Sequence, residues 1–216
     1  VSGRAATPPA IEPGSVKLAV PSDWFDLMAD GDDREATRGR CAELIRLSYP
    51  DTPAERREEF IDVLMFRYDH LFANGVLMNG VVTAALPSTD GKVLWQVYAG
   101  VVAVPPGPPE LDLGALLSRV FDEAFLDGMA YVERFTTDMG IGIGFMAQSP
   151  VEVPVSREAG VPPHPAGLAG VLSCPSAGGK GLLVMGTCLD PGQVRDLAGL
   201  VAVMAGHSVF VTVDSG

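Results

Sequence analysis

The sequence predicts an α+β fold, a mostly antiparallel sheet covered by helices in an α/β sandwich. Three observations predict it. Apolar, alternating stretches come in neighbouring pairs joined by short turns, at 76–104, 129–147 and 166–187, and such pairs close as antiparallel hairpins. Stretches with apolar residues three and four apart, at 34–49, 51–73, 111–127 and beyond 190, read as helices placed between the hairpins. The resulting order is strand, two helices, hairpin, helix, hairpin, hairpin, helix, strand. It lacks the strand–helix alternation of a doubly wound parallel sheet.

Residues 1–14, rich in Pro, Ala and Gly, predict a mobile tail ahead of one domain over 15–216. Val16–Val20 predicts a short strand, and Trp24 and Phe25 pin the entering chain to the core. Ala29–Asp33 forms a turn into a helix over Arg34–Tyr49, which carries Cys41, Leu44, Ile45 and Ser48 at helical spacing. Asp51-Thr52-Pro53 starts the next helix, with Thr52 and Glu55 in a capping box and Pro53 at the first helical position. Phe60, Ile61, Leu64, Met65, Tyr68, Leu71 and Phe72 give that helix a broad apolar face, and Asn74-Gly75 stops it.

Val76–Leu86 and Val93–Val104 predict a hairpin around Pro87–Gly91, where Asp90-Gly91 supplies the turn chemistry. Trp95, Val97, Ala99 and Val101 alternate with Gln96, Tyr98 and Gly100. Pro105–Pro109 reads as a stiff connector and Leu111–Asp127 as a helix with Leu113, Leu116, Leu117, Val120 and Phe121 inward. Met129–Thr136 and Gly140–Ala147 predict a hairpin around Asp138. Five prolines within Ser149–Pro165 predict a surface loop. Ala166–Cys174, the turn Pro175–Gly181 and Leu182–Thr187 form a third hairpin; Asp190-Pro191 then opens a helix, and His207–Val213 closes as a strand. The apolar run Leu197–Val213 would span about 26 Å as one helix, short of a bilayer's hydrocarbon core, and its second half is β-patterned.

Charge narrows the function classes. A net charge of −12 argues against nucleic acid, which requires clustered Lys and Arg, and against an anionic membrane surface. It suits solubility or a basic partner. No apolar leader opens the chain, so the expected location is the cytoplasm. Cys41, Cys174 and Cys188 lack metal-site spacing and read as buried small hydrophobes in a reducing compartment. No metal or cofactor is expected.

Each motif has a structural reading beside the chemical one. Gly142-Ile143-Gly144-Phe145-Met146-Ala147 matches a dinucleotide fingerprint, but Gln148-Ser149-Pro150 follows where a helix would have to begin. The alternating Gly140, Gly142 and Gly144 instead thin one strand face for another backbone or a bulky ring. Gly178-Gly179-Lys180-Gly181 resembles a phosphate loop that lacks the leading glycine and the hydroxyl, and reads as a turn. His70, His164 and His207 are scattered, and one of them meeting Cys174 or Cys188 would be needed for a nucleophile pair. Glu55, Glu58, Glu59 and Asp62 read as a solvated helix face near a positive helix end.

The opening Leu18-Ala19-Val20-Pro21-Ser22-Asp23-Trp24-Phe25 is one half of a resemblance. The other half is the closing pattern of strand, Pro-containing turn, Leu182-Leu183-Val184-Met185, Asp190-Pro191, helix and strand. Together they resemble small uncharacterised actinobacterial proteins related to the Mog1/PsbP-like α/β sandwich. That resemblance implies a protein that binds other proteins and is not catalytic. Twelve Arg against three Lys agree with a GC-rich source.

The sequence thus leans away from an enzyme. The expected function is a non-enzymatic protein-interaction or accessory, chaperone-like domain, acting through a protein partner or self-association. The alternative is a small-molecule-binding protein or enzyme with a pocket between sheet and helices, lined by Trp95, Tyr98, Tyr131, Met146 and His207.

Overall fold

Helix signals and hairpin signals combine here into one large sheet with helices packed on it. The computed structural model describes residues 16–21, 24–85, 92–104, 129–151, 164–175 and 179–211. The expected tail, the turn around Asp90-Gly91, the Pro105–Pro109 connector and the helix Leu111–Asp127 lie outside the described residues.

Nine strands are described: β1 (Val16–Lys17), β2 (Phe25–Asp26), β3 (Val76–Ala85), β4 (Lys92–Val104), β5 (Met129–Thr137), β6 (Gly140–Val151), β7 (His164–Cys174), β8 (Gly179–Cys188) and β9 (Val209–Phe210). Three α-helices accompany them: α1 (Arg34–Ser48), α2 (Ala54–Ala73) and α3 (Val194–His207). Seven strands form one sheet in the order β2-β3-β4-β8-β7-β6-β5, and β1 pairs with β9 in a separate ribbon. Every described pairing is antiparallel. The architecture is α+β, as the hairpin pattern predicts. Most neighbours in the sheet are also neighbours in sequence. The exception is β4 with β8, which pairs Trp95 with Cys188 and Val104 with Gly179 and joins the two halves of the sheet.

Alternation decides which face each residue serves. Trp95, Val97 and Ala99 share a face with Val184, Cys188, Ala169 and Val171. The buried stripe of α3, Leu197, Val201, Met204 and Ala205, packs on that face. Gly186 lets the helix come close, because a Cβ there would lie 2.6 Å from Leu197 Cδ1. Ile143, Phe145, Leu168 and Leu172 are buried on the opposite face.

α1 and α2 form a helical hairpin with its own core of Cys41, Ile45, Ile61, Met65 and Tyr68 against Leu27 and Met28. Asp33 caps α1, its Oδ1 accepting the Ala36 N–H at 2.9 Å. Arg34 forks onto Asp69 at 2.9 and 3.0 Å, and Arg38 reaches both Glu58 and Asp62. The acidic residues of α2 are exposed, as expected, and three of them, Glu58, Asp62 and Asp69, also tie the helix to α1.

Several expectations are corrected. Thr52 and Glu55 form no capping box: α2 starts at Ala54, Pro53 is its cap, and no side chain caps the end. Pro53 holds an extended ψ of 148°, which shifts the start one residue and moves Glu55 out of position. The expected strand Val16–Val20 is only two residues long. The proline-rich loop is shorter at both ends, since β6 runs to Val151 and β7 starts at His164, with Pro150 opposite Pro165. The turn after Cys174 is shorter too, because Gly179, Lys180 and Gly181 already belong to β8. Asp190-Pro191 opens a turn of 3-10 helix, Pro191–Gln193, before α3 begins. His207 ends α3 instead of starting a strand, and the closing strand is only Val209–Phe210. Ser208 separates the two by donating from Oγ to Met204 O at 2.6 Å while accepting the Ala19 N–H at 2.9 Å.

Candidate functional site

α3 lies over β7 and β8 and leaves the outer part of its face, on β5 and β6, partly open. Between the flank of the helix and those strands runs a groove of about 440 Å³. This lies within the usual size range for ligand pockets. Phe135 on β5 and Met146 on β6 form its sheet side, and Ala198 and Ala202 form its helix side. Glu133 and Arg195 stand at its rim as the two charged residues.

Local chemistry makes the groove. Phe135 pairs with Gly142, and Glu133 with Gly144, so two glycines leave the β6 backbone bare beneath the Phe135 ring. A Cβ on Gly142 would lie 2.8 Å from that ring, and one on Gly144 3.3 Å from it. The alternating glycines therefore seat a ring, the structural reading of that motif. They lie inside a strand, so the dinucleotide reading has no strand-to-helix turn. On the helix, Ala198 and Ala202 are one turn apart and too small to fill the space. Gly199 is open, with no atom within 4 Å of a Cβ placed there.

Of the residues expected to line a pocket between sheet and helices, Met146 lines this groove. Trp95 is buried in the core between sheet and α3, its Nε1 donating at 2.9 Å to Oε1 of Gln193, the residue just ahead of the helix. Tyr98 lies on the opposite face, where its hydroxyl donates to Gln96 Oε1 at 2.9 Å and contacts Arg67. The Tyr131 side chain lies outside the described atoms; its backbone pairs with Met146. His207 is exposed at the end of α3, with Nδ1 3.3 Å from Asp138 Oδ2. Sequence reasoning missed Phe135, Arg195, Ala198 and Ala202. The glycine alternation and the Ala198/Ala202 spacing were the available signals.

Reactive groups do not converge among the described residues. The three cysteines are buried in three separate clusters. Burial pushes the Cys188 thiol up to about 11, and its Sγ donates toward Gly167 O and Asp190 O. The same cause raises Cys41 and Cys174. His207, which faces Asp138, has Ser208 beside it in sequence, but that hydroxyl is buried and committed to backbone. No group of three or more His, Cys, Asp or Glu among the described residues could hold a metal ion. No described helix is long and apolar enough to cross a membrane.

β5 forms one end of the seven-stranded sheet, directly beside the groove. The other end, β2, is two residues long and leads straight into the turn before α1. The nine-residue β5 is thus the longer of the two terminal strands among the described residues. No protein-family model, curated protein or solved structure matches the chain.

Proposed function

We propose that this protein is a non-enzymatic interaction domain that takes an extended segment of a partner protein as an added strand on β5. The observation that carries the reading is the adjacency of the terminal strand β5 to the groove under α3. An added strand gains affinity from backbone hydrogen bonds, which any sequence can make. It gains selectivity from alternate side chains that enter neighbouring pockets. Side chains of such a strand on the α3 side would stand next to Glu133 and Phe135 and reach toward Ala198 and Ala202. The scattered cysteines and the committed Ser208 supply no competing chemistry at this position. The implied kinship with protein-binding Mog1/PsbP-like sandwiches points the same way.

A random peptide library selected against the wild type and against Gly199→Leu tests the reading. Leucine at 199 has open space around its first carbon and fills the groove from the helix side. Peptides recovered by the wild type, lost by the variant, and protecting β5 amides from hydrogen exchange are the expected result. No recovered peptide, or equal recovery by both proteins, overturns it. A metabolite that raises the melting temperature and is displaced by no peptide would favour the small-molecule alternative.

A further inference from the structure

We infer that the segment accepted on β5 carries an aromatic anchor followed, on the same face, by an acidic residue. This inference rests on the strand-addition reading and specifies its partner. The recess is bounded by an aromatic ring and a thioether, Phe135 and Met146, and by the small side chains of α3. Aromatic rings and methionine sulfur attract a further ring beyond simple area burial, and Ala198, Gly199 and Ala202 leave room for its width. The two rim charges differ in how they are engaged. Glu133 already has a partner within the chain. Arg195 is exposed in the first turn of α3 and bonds no carboxylate among the described residues. By contrast Arg34, Arg38, Arg40, Arg46 and Arg56 each face one. The open charge at the groove is therefore positive, although the whole chain is acidic. Residues two apart on a strand share a face. A ring seated between Phe135 and Ala202 thus has its second neighbour placed along the groove, where a carboxylate answers Arg195.

The test uses blocked heptapeptides of alternating Thr and Ser with two guest positions. The centre carries Phe, Leu or Ala, and the residue two places from it, on either side, carries Asp, Asn or Lys. Binding is measured by titration, and strand addition is read independently from the protection of β5 amides. Phe is expected to bind about tenfold more tightly than Ala, the scale of a partly buried ring. Asp is expected to exceed Asn by about threefold, the scale of an exposed ion pair, and to lose that margin in high salt. Arg195→Glu should invert the preference toward Lys while leaving the Phe preference in place. β5 protection with no discrimination at either guest position overturns the anchor and leaves strand addition standing. No protection with any peptide overturns both. Retained Asp preference in Arg195→Glu removes Arg195 from the assignment.

Discussion

The ring of Phe135 lies across the bare backbone of Gly142, so close that a methyl group on Gly142 would come within 2.8 Å of it and 2.6 Å of Thr137 Cγ2. The threonine is the neighbour that cannot yield freely. Thr137 is buried, its hydroxyl 2.7 Å from that of Ser173, and Phe135 forms the wall of the groove. Gly142→Ala is therefore expected to cost about 1–3 kcal/mol of stability, the scale of overpacking. Urea unfolding measures it, and a loss below about 0.5 kcal/mol would mean that the ring does not rest there.

Gly199 is the opposite case. It sits inside α3 with nothing near its missing side chain. Gly199→Ala should stabilise the protein by about 0.5–1 kcal/mol, because alanine restricts the unfolded chain and favours the helix. A rise in the thermal midpoint checks it. The same openness makes Gly199→Leu a groove-filling variant that keeps its fold.

Asp26 is half-buried beside β3, and desolvation holds its carboxyl above the usual carboxylate range despite two backbone donors and the Arg40 charge. Its Oδ1 accepts the N–H of Met28 and of Asn79, each at 2.9 Å. Asp26→Asn keeps an acceptor there, whereas Asp26→Ala leaves both donors unpaired and should cost about 1–3 kcal/mol. The pH dependence follows from the direction of the shift. A raised carboxyl binds its proton more readily in the folded state. Its stabilising contribution is therefore full below the unfolded value near 3.8 and is lost as pH rises through the folded value. Denaturation between pH 3 and 7 should show that component in the wild type and not in Asp26→Asn.

The thiols should be silent in the native protein. All three are buried, and Cys188 is raised from 9.0 to about 11 by burial. A thiol-reactive disulfide at pH 8 is expected to label none quickly until denaturant is added, because the thiolate is the nucleophile and it is neither exposed nor formed. The folded state holds the Cys188 proton longer than the unfolded state does. Stability should therefore fall as pH rises from about 9 to about 11, and replacing Cys188 by Ser should flatten that limb.

Much of the architecture was legible because it depends on local periodicity. α1 and α2 lie within one or two residues of their expected spans, and the β3–β4, β5–β6 and β7–β8 hairpins fall where alternation placed them. Element ends were less legible. Pro53 could cap or begin a helix, and its ψ decided which. The prolines of 149–165 suggested a loop, yet Pro150 and Pro165 stand opposite each other in the ladder.

The groove was hardly legible, and the reason is physical. Phe135 and Ala202 are separated by more than sixty residues. They come together because β5, β6, β7 and β8 pair in succession and α3 folds back over β7. Periods of 2 and 3.6 residues are stamped on the chain by backbone geometry, so composition and spacing alone determined that this protein would be hairpins and amphipathic helices. Which strands become neighbours depends on burial summed over the whole fold. The tertiary structure alone decided that β5 would be a terminal strand of the described sheet and that the thin flank of α3 would stand beside it.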